Sequence, residues 1–145
     1  EQKKRAGTEN LAAIVGMVAA LKEDLNDQVE HYQKLSALKS VFLKEISDLD
    51  YYLNESQDQL PYVLNIGFPG QKNDLLLLRL DLEGISISTG SACTAGIVQT
   101  SHVLEAFYGP DSHRLKESVR ISISPLNTEE ELKQLAQTLK NIIGD

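Results

Sequence analysis

The sequence predicts an α+β fold, a small mixed β-sheet packed with helices. Three observations lead there. Apolar side chains recur at three- and four-residue spacing near both ends of the chain, the period of an amphipathic helix. In the second half, Ile85-Ser86-Ile87-Ser88 and Val119-Arg120-Ile121-Ser122-Ile123-Ser124 alternate apolar and polar residues with period two, as half-buried strands do. At 145 residues, without an internal repeat, the chain is long enough for one domain with a core of its own.

The elements follow in order. Leu11, Ile14, Val15, Val18, Leu21 and Leu25 mark a helix after Thr8, read as its N-cap, with Glu9 in the first turn. A second stripe (Val29, Tyr32, Leu35, Leu38, Phe42, Ile46) either continues that helix or forms a partner to it. Residues 48–61 are polar and read as a connection, with room for a short strand at 51–53. Residues 62–68 are β-rich and end at the turn signal Pro69-Gly70. Asn73 and Asp74 are candidate caps for a leucine-dense helix that stops at Gly84. The two alternating strands come next, separated by a loop and a short helix over 101–108. Thr128-x-x-Glu131 is a capping box for a last helix with the stripe Leu132, Leu135, Ala136, Leu139, Ile142 and Ile143. Helices beside a few strands of this order make an α+β domain.

Composition narrows the function classes. The hydrophobic share of 41% and charged share of 24% are those of an ordinary soluble globular protein. With a net charge of −7, no nucleic-acid partner is expected, and Lys3-Lys4-Arg5 is too short to alter that. No apolar run reaches the roughly 18 residues of a membrane span, and no signal peptide opens the chain. The one cysteine cannot close an internal disulfide, which fits a reducing cytoplasm. The charged opening at Glu1 reads as a cut from a longer polypeptide or as a processed start.

That cysteine, Cys93, sits in Gly84-Ile85-Ser86-Ile87-Ser88-Thr89-Gly90-Ser91-Ala92-Cys93-Thr94-Ala95-Gly96. A lone cysteine is commonly a small buried hydrophobe. Here its neighbours supply little apolar packing and three glycines free the backbone, so a reactive thiol on a mobile loop stands beside the packed one. Arg120 alternates with Val119 and Ile121; if those face the core, its guanidinium faces away, on the same side as Ser86 and Ser88. It is then either a solvated strand residue or a fork for a carboxylate near the thiol. His102, nine positions after Cys93, has no third orienting group at a recognisable spacing, and His31 and His113 read as surface residues. One cysteine and three scattered histidines make no metal-ligand pattern, and the Ser/Gly stretch lacks a phosphate-loop lysine.

Several segments together resemble one family. Arg5-Ala6-Gly7-Thr8-Glu9-Asn10, Val63-Leu64-Asn65-Ile66-Gly67-Phe68, Ser88-Thr89-Gly90-Ser91-Ala92-Cys93-Thr94, Ser101-His102-Val103-Leu104 and Ser118-Val119-Arg120-Ile121-Ser122, then Asn127-Thr128-Glu129-Glu130-Glu131, follow in family order. The sequence resembles the cysteine desulfurases, NifS/IscS-like pyridoxal-phosphate enzymes of the class V aminotransferase superfamily. The resemblance runs along essentially the whole chain; the cysteine motif and the arginine strand at this spacing carry most of it.

The resemblance implies the C-terminal small domain of a fold-type I enzyme, residues 1–145 forming that domain. The large domain, with the cofactor lysine, lies outside them, so this chain alone is expected to be inactive. It implies removal of sulfur from L-cysteine to give L-alanine and a persulfide on Cys93, for iron–sulfur cluster assembly or other sulfur delivery. Cys93 is then the nucleophile and sulfur carrier, on a loop that moves between cofactor and acceptor. Arg120 clamps the substrate carboxylate. Thr8 bonds the pyridoxal 5'-phosphate phosphate in the other subunit of a cytoplasmic homodimer. A sulfur-acceptor or iron–sulfur scaffold protein is the implied partner, with neither nucleic acid nor membrane. Two departures, Gln99-Thr100 before Ser-His and Ser124-Pro125 after the arginine strand, bear on subgroup and acceptor. The rivals are a related class V aminotransferase or selenocysteine lyase, and a non-catalytic α+β binding module.

Overall fold

The computed structural model describes residues 9–56, 59–90 and 100–144. The elements run α1 (Leu11–Glu45), β1 (Tyr52–Leu53), β2 (Val63–Gly67), α2 (Asn73–Leu82), α3 (His102–Tyr108), α4 (Arg114–Glu117), β3 (Ser118–Ser122) and α5 (Glu129–Gly144). The chain divides into two compact units, one up to Gln33 and one from Lys34 onward.

The first unit is the leading part of α1. The two apolar stripes of the sequence belong to this one helix. Thr8 lies outside the described residues; Asn10 takes the capping position, its Oδ1 accepting from the Ala13 amide at 3.1 Å. Glu9 therefore precedes the first turn instead of lying in it. The early stripe is present but uncovered: Leu11 is 66% exposed and Val29 70%.

The second unit holds the sheet, in the order β1-β2-β3, with both pairings antiparallel. β2 and β3 obey the period-two rule. Leu64, Ile66, Val119 and Ile121 are buried, while Asn65 and Arg120 lie between them on the opposite face. The buried face shares one core with Leu38 and Phe42 of α1, Leu76 and Leu80 of α2, and Leu135 and Leu139 of α5. α5 begins as its capping box predicts. Thr128 Oγ1 accepts from the Glu131 amide at 3.3 Å, and Glu131 Oε2 accepts from the Thr128 amide at 2.9 Å. These bonds, with one from Asn127, hold the Glu131 carboxyl below the usual range.

Two further expectations are corrected. Lys72, not Asn73 or Asp74, is the N-cap of α2. The Asn73 amide is drawn off to the carbonyls of Leu115 and Ser118, which fastens α2 to the α4–β3 junction. Residues 85–88 do not form a strand; Ile85 and Ile87 pack on the core, but only Ser88 pairs, as an isolated bridge to Arg120. The Ile85 amide is taken by the end of α2 instead. It bonds the Leu80 carbonyl at 2.9 Å while Gly84, at φ +76°, bonds Asp81, a Schellman closure that needs the left-handed residue. The short helix α4 carries no periodic signal, being one turn long.

Candidate functional site

The alternation of β3 carries Arg120 onto the face away from the core, and two neighbours define its place. On one side is Asn65, directly opposite in the antiparallel register of β2 and β3. On the other is Ser88, whose amide and carbonyl pair with those of Arg120 at 3.0 and 2.7 Å. Ser88 Oγ accepts from Arg120 Nε at 3.0 Å. That bond uses the side of the guanidinium nearest the chain. Among the described residues the two terminal nitrogens have no acceptor and no ion-pair partner. A planar pair of N–H donors left in this way suits a carboxylate taken bidentately.

Arg120 borders a cavity of about 190 Å³ together with Asn54, Asn65, Gly90, Ser101 and Ser118. Gly90 directly precedes residues 91–99, the stretch that contains Cys93, and Ser101 lies two positions after it. Cys93 itself lies outside the described residues, as does Thr8, so the mobile-loop expectation and the cofactor-phosphate role lie there too. Ser101 caps α3, its Oγ accepting from the Leu104 amide at 3.3 Å. His102 begins that helix and is exposed, as is His113, and half-buried His31 lies 3.5 Å from Asp24. Among the described residues no cluster of His, Cys, Asp or Glu could hold a metal ion. No described helix is long and apolar enough to cross a membrane.

A polar network backs the cavity. Arg114 lies between two aromatic rings, 4.2 Å from the centroid of Tyr52 and 4.4 Å from that of Tyr108. Its Nη1 donates to Asn54 Oδ1 at 2.7 Å. Asn54 Nδ2 donates to Asn65 Oδ1 at 2.9 Å and to Ser118 Oγ at 2.8 Å. The Tyr52 hydroxyl donates to Glu117 Oε2 at 3.1 Å, and the other oxygen of Glu117 accepts from the Gly70 amide. Burial pushes the Tyr52 hydroxyl pKa up, and the Glu117 carboxylate adds to the rise. The Tyr52 ring covers Gly67, its cross-strand partner; a Cβ there would stand 2.3 Å from the ring. Of this network, period two could have flagged Asn65 as sharing a polar face with Arg120. Asn54 and Arg114 lie in irregular or one-turn segments and carry no such signal.

The class-V aminotransferase model matches residues 1–135. The chain belongs to the class-V aminotransferase family. A Bacillus subtilis (strain 168) protein provisionally named cysteine desulfurase IscS 1 is 40% identical over 146 residues, 99% of this chain and 38% of that protein. The cysteine desulfurase IscS of Dictyoglomus turgidum is 36% identical over 99% of this chain and 37% of its own length. This class-V chain thus spans little more than a third of the curated relatives it matches. A solved NifS-like protein from Rickettsia africae superposes with a TM-score of 0.79 at 27% identity, over 97% of this chain and 37% of that one. This supports the α+β expectation.

Class-V aminotransferases depend on pyridoxal phosphate. No lysine borders the Arg120 cavity among the described residues, so these do not make a cofactor site by themselves.

Proposed function

We propose that this chain is the C-terminal small domain of a cysteine desulfurase. The protein takes sulfur from L-cysteine and leaves L-alanine, with the sulfur held as a persulfide on Cys93. The balance needs no added oxidant or reductant. The substrate carbon–sulfur bond breaks, a sulfur–sulfur bond forms on Cys93, and a proton goes to the carbon that becomes the alanine methyl group. Pyridoxal phosphate, when bound, supplies the electron sink that lets the carbon–sulfur bond break. Arg120 binds and orients the substrate through its carboxylate, and Cys93 accepts the sulfur. Thr8 bonds the cofactor phosphate in the other subunit of a homodimer. A sulfur-acceptor or iron–sulfur scaffold protein then receives the sulfur in the cytoplasm.

One observation carries the reading. An arginine whose two terminal nitrogens have no acceptor among the described residues lines a cavity bordered by Gly90 and Ser101, close to either end of the Cys93 stretch. The names of the relatives point the same way. The deciding experiment is mass spectrometry of the full-length protein after exposure to L-cysteine. Added sulfur on Cys93, lost in Cys93→Ser while cysteine still binds, is the expected result. Alanine formed with Cys93 unmodified would sink the reading in favour of another class-V chemistry.

A further inference from the structure

We propose that Asn65 is a second ligand of the substrate carboxylate, and that Arg114 and Asn54 decide which end of its amide faces the cavity. This rests on the reading of Arg120 as the carboxylate clamp. Residues directly opposite in an antiparallel pair project from the same face of the sheet with Cβ atoms about 5 Å apart. Asn65 and Arg120 are such a pair and border the same cavity.

An asparagine amide offers donors at one end and an acceptor at the other, and the network around it decides which end points where. Here the network has a fixed starting point. Arg114 can only donate, and the Tyr52 and Tyr108 rings hold it in place. Its bond to Asn54 therefore fixes the Asn54 oxygen on that side, and the Asn54 NH₂ must point the other way. There it meets Asn65 Oδ1 and Ser118 Oγ. With its oxygen taken, Asn65 has only its NH₂ to offer on its free side. Turning either amide over would set donor against donor or oxygen against oxygen.

Among the described residues nothing accepts from Asn65 Nδ2. Asn65 is only half-buried and borders the cavity, so this nitrogen is within reach of a ligand there. Open amide donors and the open end of a guanidinium thus share one face, and no carboxylate of the described residues answers them. An amino-acid carboxylate fits that arrangement: Arg120 supplies charge and a fork, and Asn65 a neutral donor from the neighbouring strand.

The test uses the full-length holoenzyme and the Kd of L-alanine measured by titration calorimetry, with KM and kcat for L-cysteine beside it. Asn65→Leu removes the donor and is expected to weaken L-alanine roughly 10- to 100-fold, the loss of one hydrogen bond to a charged group. Asn54→Asp still accepts from Arg114 but cannot donate, so Asn65 turns its NH₂ toward residue 54 and presents oxygen to the carboxylate. The charge of that variant acts whether or not Asn65 is present, so a double-mutant cycle isolates the amide. Asn54→Asp should cost at least about 10-fold more with Asn65 present than in the Asn65→Leu background. Equal cost in both backgrounds overturns the orienting role. An Asn65→Leu Kd within about twofold of the parent overturns the ligand role, and Asn65→Ser gives the same reading if the leucine variant does not fold. Arg120→Ala separates the two levels. If it weakens L-alanine and Asn65→Leu does not, only Asn65 is wrong; if Arg120→Ala has no effect, the clamp itself is wrong.

Discussion

Arg120 is half-buried, yet its guanidinium supports no packing of the core, because the neighbours that do, Val119 and Ile121, are 1% and 4% exposed on the other face. Arg120→Ala should therefore leave the fold nearly intact. In the full-length enzyme it removes a charge-assisted fork worth roughly 2–4 kcal/mol to a carboxylate. Steady-state kinetics should then show a loss of about 30- to 1,000-fold in kcat/KM for L-cysteine. An unfolded variant would return Arg120 to a structural role. Tyr52 gives a second prediction at this scale. Its hydroxyl pKa is raised in the folded protein, so the protonated form is favoured there relative to the unfolded chain. The stability it contributes is present below the ordinary tyrosine value and lost as pH rises through the folded one. Phenolate absorbance should show a step above the ordinary tyrosine value, and Tyr52→Phe should remove it.

At the scale of elements, the β1–β2 edge depends on Gly67 having no side chain. Gly67→Ala pushes the Tyr52 ring away from Arg114 and Glu117, both of which hold it. The expected cost is about 1–3 kcal/mol, as for other overpacked sites, with faster amide exchange at Tyr52 and Leu53 as its local sign. The capping box of α5 is more modest. Thr128→Ala leaves the Glu131 amide without its side-chain acceptor and should cost about 1 kcal/mol, read as faster amide exchange in the first turn. Both elements were legible in outline. The Thr128-x-x-Glu131 pattern and the apolar stripe locate α5 because a cap and a helical period are local properties. At 85–88 the sequence predicts a strand that does not form, because alternation gives a residue a face without giving it a pairing partner, and the closing turn of α2 claims the Ile85 amide.

For the molecule as a whole, the described residues that line the Arg120 cavity include no lysine, which a pyridoxal enzyme requires beside its substrate. Residues 1–145 mixed with pyridoxal phosphate should give no stoichiometric adduct at a single lysine after borohydride reduction. Such an adduct would place the cofactor site within this chain. The sequence by itself determined the α+β class, the longer helices with the capping box of α5, the sidedness of Arg120, and the motif order that marks the family. All of these are properties of near neighbours along the chain, governed by periods of 3.6 and 2 and by motif spacing. Only the tertiary structure decided that Asn65 stands opposite Arg120, that Ser88 takes one side of its guanidinium, and that Arg114 reaches Asn54 across 60 positions. Strand register and the direction of an amide are set by partners far apart in the chain, and no local pattern encodes which partner arrives.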